Sequence, residues 1–170
     1  MLLNSEAFVR DRFGAAAHQR VLAGMPPEST PRFSTSLPDG ARVPMEQLVA
    51  YMKTARALLA PDDGDFFREM GRFAGARDRD ERAFSHMVAD RATILRMMKV
   101  LWSTFYSEGT FEILESDEQS ATGRAVGFTG DPVLCDRICG VAETQLRVAR
   151  IEHVACVFRG DPACAWTVWW

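Results

Sequence analysis

The hydrophobic pattern changes its period near Gly109, and this switch constrains the fold more than any other feature of the chain. Before it, apolar residues recur at intervals of three and four, the spacing of one face of a helix. Beyond it come short β-rich runs, "TFEIL" at 110–114 and "TGRAVGFT" at 122–129, divided by the polar "ESDEQSA". A chain of this kind cannot be all-helical, and with its helices grouped ahead of its strands it does not alternate as parallel α/β folds do.

Four helices are predicted in the first part. Residues 5–24 start at a Ser5 cap and place Phe8, Phe13, Ala16 and Ala17 near one face. Residues 45–60 follow Pro44 and repeat Leu48, Tyr51, Met52, Ala55, Leu58 and Leu59. In 64–76, Phe66, Phe67, Met70 and Phe73 keep the spacing, while Gly71 and Gly75 mark close packing or an early stop. The longest run, 80–106, carries Phe84, Met87, Val88, Ala92, Leu95, Met98 and Trp102 and reads as the central helix. Residues 25–44 hold five of the eight prolines and read as an irregular surface connection.

After the two strands, Asp131 and Pro132 have the form of a cap and first-turn proline. They open a helix with Val133, Cys135, Ile138, Val141, Ala142 and Leu146 in register. Strands at 150–158 and 163–169 close the chain. The expected fold is α+β: helices packed on an antiparallel sheet that ends in a C-terminal β-hairpin, in a single domain spanning 1–170.

At 170 residues the chain can bury a core without staples. Its net charge of −3 supplies no general attraction for nucleic acid backbones. No run approaches eighteen apolar residues, so no membrane span is expected. Residues 1–25 lack the apolar stretch of a secretory signal, and four cysteines do not make a disulfide scaffold. A reducing cytoplasm is therefore the expected location.

The terminal "HVACVFRGDPACAWTVWW" asks what its cysteines do. A hairpin turning about Gly160 sets Cys156 opposite Cys164, Val154 opposite Trp166 and Glu152 opposite Val168, all on an inward face. In the turn, Gly160 is expected at positive φ and Asp161 to cap the bend. Cys135 and Cys139 share one stripe of the preceding helix, so three or four thiols can converge. Thiolates suit zinc, but the C-x3-C and C-x7-C spacings are not those of a regular zinc knuckle. The preferred reading is four small buried core residues, with zinc held by Cys135, Cys139, Cys156 and Cys164 as the alternative.

The stretch "DPVLCDRICGVAETQL" followed by "CVFRGDPACAWTVWW" resembles the 4-vinyl reductase domain. The closing hairpin of that family is matched by Cys156, Gly160, Asp161, Cys164 and Trp166. Upstream, "VPMEQLVAYMKTARALL" and "FFREMGRFAGA" resemble a set of myxobacterial paralogues. The resemblance implies a fold related to phenol-sensing domains, the tethering subunits of the TRAPP complex and haem-based nitric oxide sensors. It implies a zinc site of three cysteines and a glutamate, with Cys156 and Cys164 carried over. Cys135 or Cys139 would be the third ligand, and Glu112, Glu115 and Glu118 are available as the fourth.

Other candidates carry less. His86 and Asp90, four apart, read as a surface pair, and His153 reads as a satisfied sheet histidine. "GFTGDP" lacks a dinucleotide fingerprint or P-loop lysine and reads as a turn. Met98, Trp102 and Phe105, with Phe128 and Trp166, are the candidate lining of an apolar pocket, against an ordinary core as the simpler reading. The expected function is a non-enzymatic regulatory or sensory domain binding a small apolar molecule between helices and sheet, without an organic cofactor. A homodimeric interaction module without ligand is the alternative, and a reductase-like or tetrapyrrole-associated enzyme the third reading.

Overall fold

The structure, a computed structural model, describes residues 2–27, 44–81, 91–106, 108–146 and 148–170. Its elements are α1 (Leu2–Phe13), α2 (Ala15–Gly24), α3 (Met45–Leu59), α4 (Phe66–Glu81), α5 (Arg91–Phe105), β1 (Thr110–Ser116), β2 (Ser120–Val126), α6 (Pro132–Gln145), β3 (Arg150–Ala155) and β4 (Cys164–Trp169). The strands form one antiparallel sheet in the order β1-β2-β4-β3. The expected α+β class is the one observed. Among the described residues, no helix is long and apolar enough to cross a membrane.

The helix expected over 5–24 is two helices. Gly14, at φ +87, ends α1, a backbone state that L side chains resist. Ser5 is buried within α1, which starts at Leu2, so it does not stand at the expected cap position. The break lets Phe8 meet Phe66 edge-on at 5.5 Å while α2 turns Ala17, His18 and Val21 inward, packing on α3. The expected central helix is described from Arg91 onward; Phe84, His86, Met87, Val88 and Asp90 lie outside the described residues, as does most of the 25–44 connection.

The polar separator "ESDEQSA" mostly joins the strands it was expected to divide. Asp117 closes the turn, its Oδ1 accepting from the backbone N–H groups of Gln119 and Ser120 at 2.7 Å each. On the inner face Ala125 pairs with Cys164, Gly123 with Trp166 and Ala121 with Val168. Outside, Thr122 and Thr167 share a hydroxyl hydrogen bond at 3.0 Å.

Helix α6 begins as its sequence predicts. The Asp131 carboxylate accepts from Val133 N–H at 3.2 Å, with Pro132 in the first turn. It then crosses α4 at glycine. A Cβ on Gly140 would stand 1.9 Å from the Arg68 carbonyl oxygen, and one on Gly71 would stand 2.2 Å from that of Arg137. Of the two readings of Gly71, close packing is the one observed. Glu143 clamps the crossing, accepting from Arg68 Nε at 2.9 Å and Arg72 Nε at 2.6 Å. Because α6 also packs on β3, this crossing fixes the height of α6 above the sheet.

Candidate metal centre

Four side chains converge under α6: Cys135 of α6, His153 of β3, Cys156 just past β3, and Cys164 at the start of β4. One ligand atom from each lies within 4.8 Å of all the others. The three cysteines are buried and His153 is half-buried. Cys135 Sγ and Cys164 Sγ are 3.8 Å apart. With a zinc–sulfur bond of about 2.3 Å, the edge of a regular tetrahedron is about 3.8 Å, so this pair already stands at ligand spacing. It is far too long for a disulfide, and all four cysteines are free.

His153 is not the satisfied sheet histidine expected of it. Its Nε2 is buried without a hydrogen-bond partner, and its ring stacks on Trp166 with centroids 5.1 Å apart and planes 16° off parallel. A buried polar atom with no partner costs free energy unless something occupies its lone pair. Burial, and next Arg159, hold its pKa below the ordinary value, favouring the neutral imidazole that binds metals.

A register shift puts His153 there. β3 and β4 pair His153 with Trp166 and Ile151 with Val168, one residue off the expected hairpin register. The ladder shifts between His153 and Ala155, so Val154 bulges outward and is 51 % exposed. The expected pairings of Val154 with Trp166 and of Glu152 with Val168 do not form. One residue of slip exchanges the two faces, which brings the histidine in and sends the valine out.

The thiols of Cys135 and Cys164 are raised in pKa. Burial pushes that of Cys135 far up, with Cys164 adding to it. Cys164 is raised chiefly by burial and opposed by the backbone N–H of Val157, which favours the thiolate. Burial of this kind favours the neutral thiol at Cys135 and Cys164; a divalent cation reverses that preference by displacing the protons.

Of the two helical candidates, Cys135 enters the group. Cys139 lies one turn on, outside it, beside the Trp166 indole, with its thiol pushed up to about 11 by burial. Glu112 pairs with Arg124 and Glu115 accepts from Thr122 along β1 and β2. Glu112, Glu115 and Glu118 are all exposed and outside the group. His153 takes the fourth position, and the H-x2-C spacing of His153 and Cys156 was the signal for it.

The loop between Cys156 and Cys164 contains a 3-10 turn, Val157–Arg159, and Gly160 at φ +93. Gly160→Val is expected to cost about 1–3 kcal/mol of stability, the strain of forcing a branched residue into that region. An unchanged melting temperature would refute it.

Beside the cluster, α5 and the sheet enclose Trp102, Tyr106, Phe111, Phe128 and Trp166. Trp102 stacks on Tyr106 at 4.4 Å, meets Phe128 edge-on at 5.3 Å and lies 6.4 Å from Trp166. Its indole N–H donates to the Glu108 carbonyl at 3.1 Å. Met98 is half-buried against this core, and the Phe105 side chain is outside the described residues. His18, on the far side of the helical layer, shares a hydrogen bond between its Nδ1 and the Tyr51 hydroxyl at 2.9 Å.

No protein-family model matches the chain, and no curated protein does. Solved structures do. An H-NOX protein from S. oneidensis in the Fe(II)NO state aligns with a TM-score of 0.70 at 14% identity, covering 98% of this chain and 96% of that one. The Fe(II) unliganded H-NOX protein from K. algicida aligns at 0.68 and 13% identity, covering 98% and 92%. A mutant of the T. Tengcongensis H-NOX protein aligns at 0.67 and 13%, covering 98% and 92%. Identities this low speak for architecture alone, and on that ground the chain has the H-NOX fold.

Proposed function

We propose that this chain is a non-enzymatic regulatory domain, a small-molecule sensor built on the H-NOX fold and held together by a Cys3His zinc centre. The observation that carries the reading is the convergence of Cys135, His153, Cys156 and Cys164 within 4.8 Å, with the His153 Nε2 buried and unpartnered. Three sulfurs and one nitrogen make the donor set of a closed structural zinc site, and the Cys135–Cys164 pair already stands at its spacing. Bound there, zinc would hold three thiolates without open coordination for chemistry, and would staple α6 to both strands of the terminal hairpin.

Among the described residues nothing fits haem, the group named for structures of this fold. Helix α5, which packs on β1, contains no histidine. Of the described histidines, His18 is engaged with Tyr51 and His153 faces the thiols. The space between α5 and the sheet is filled by rings in mutual contact. The tetrapyrrole-associated reading draws no support from these residues.

The sensed molecule, in this reading, is small and apolar and enters between Trp102, Phe128 and Trp166, the wall of its site, with Met98 beside them, by parting rings that pack on one another in its absence. Phe105, the remaining candidate, has its side chain outside the described residues. Trp166 stacks on His153 on one side and approaches Trp102 on the other, so the metal centre also sets one ring of that wall. The closing-hairpin motif supports a 4-vinyl reductase-like lineage. A single domain over 1–170 in a reducing cytoplasm agrees with four free thiols.

Elemental analysis of untagged protein, reporting zinc and iron together, tests the metal. Stoichiometric zinc without iron is expected, and less than a tenth of an equivalent of zinc overturns the reading. Binding of a small apolar probe such as toluene, followed by titration calorimetry and lost in Trp102→Ala, tests the wall.

Self-association is a second reading, favoured by exposed Leu58, Val100 and Leu114 on α3, α5 and β1. Light scattering should then report a homodimer; a 19.0 kDa particle at high micromolar concentration refutes it.

A further inference from the structure

We propose that Asp161 is the positioning residue of the metal centre: its carboxylate takes over the hydrogen bond that Cys156 loses on leaving the sheet, and so presets the thiol for metal. The inference rests on the zinc reading and adds to it the device that controls how firmly the metal is held.

The last pair of the β3–β4 ladder is Ala155 with Ala165. Had the ladder continued, Cys156 and Cys164 would pair in the sheet, with their side chains held side by side at strand spacing. Instead the chain peels away into the 3-10 turn, and the backbone groups of Cys156 are left without a strand partner. The loop supplies them. Asp161 Oδ2 accepts from Cys156 N–H at 2.7 Å. The Cys156 carbonyl accepts from Arg159 N–H at 2.8 Å and from Asp161 N–H at 3.2 Å.

Asp161 therefore grips Cys156 from both sides of its Cα, through side chain and backbone, and closes the loop into a ring. A carboxylate acceptor makes the N–H bond stronger than a neutral one would. With both backbone groups fixed, Cys156 has little freedom left to swing its sulfur out of the cluster. Partners that orient metal ligands in this way commonly account for 10–100-fold in affinity.

The test uses the full, zinc-loaded chain and follows zinc transfer to the chromophoric chelator 4-(2-pyridylazo)resorcinol. Asp161→Ala removes the acceptor, and Asp161→Glu keeps the charge but displaces the oxygen by a methylene. Both should release zinc about 10–100-fold faster than the unchanged chain. Asp161→Asn retains an oxygen at the same reach and should stay within about threefold, as rescue by geometry requires. In cobalt-substituted protein, the sulfur-to-metal charge-transfer band should weaken in the alanine and glutamate variants and persist in the asparagine variant.

Gly160→Ala strains the same turn without touching the bond. Faster release in Gly160→Ala equal to that in Asp161→Ala would make the role one of turn stability and overturn the inference. So would wild-type release rates in Asp161→Ala, or equal losses in the asparagine and alanine variants. Should Asp161→Ala fail to fold, the glutamate and asparagine pair carries the same comparison. A wild-type chain that binds no zinc would overturn the zinc reading itself, which is a different result from a zinc-loaded chain indifferent to position 161.

Discussion

Cys164→Ala is expected to abolish stoichiometric zinc and to destabilise the fold far beyond the loss of one small side chain. Cys164 is wholly buried, 3.8 Å from Cys135 Sγ, at the head of β4, one of the two inner strands. At free zinc about a thousand times the dissociation constant, a bound metal stabilises the native state by about 4 kcal/mol. For a chain of this size that amounts to a fall in melting temperature of roughly 8–16 °C. Cys139→Ala is the internal control, because that thiol is as buried but outside the group. It should keep its zinc and cost about 1 kcal/mol. Thermal melts of both variants, with and without a chelator, decide the matter. Equal small losses for the two would mean that the thiols act only as core.

Gly140→Ala is expected to be the most damaging single methyl group that can be added to the helical layer. Its Cβ would lie 1.9 Å from the Arg68 carbonyl oxygen and 2.8 Å from the Arg72 backbone nitrogen. Both obstacles are backbone, so no rotamer change relieves the clash and α4 and α6 must separate. Overpacking costs about 1–3 kcal/mol where side chains can adjust, and this site belongs at or above the top of that range. The displacement would travel along α6 to Cys135, five residues earlier, so zinc affinity should fall with stability. Gly64, with nothing within 4 Å of a built Cβ, is the matched control, and Gly64→Ala should be near neutral. Equal denaturation midpoints for the two variants would refute the close crossing.

Much of the site could be read along the chain. The Asp131–Pro132 opening of α6 is local chemistry, a carboxylate answering an unpaired N–H, and the structure repeats it. The positive φ of Gly160 is also local, since few other residues tolerate it. The positions of Cys156 and Cys164 about a Gly-Asp turn were legible for the same reason. The break at Gly14 was less so: a single glycine is compatible with a continuous helix, and packing of Phe8 against α4 and of α2 against α3 selects the bend.

The sequence by itself determined the class of fold, the antiparallel closing hairpin and the presence of four cysteines near one another, because periodicity, capping and turn chemistry act within a few residues. Only the tertiary structure decided that Cys135 rather than Cys139 joins the cluster, and that His153 completes it. Successive helix turns share a stripe but stand at different points along the sheet, so the Gly71–Gly140 crossing, which seats α6, selects the thiol. A strand's facing depends on parity, and the outward bulge at Val154 changes that parity by one. In this register the histidine turns inward and stacks on Trp166.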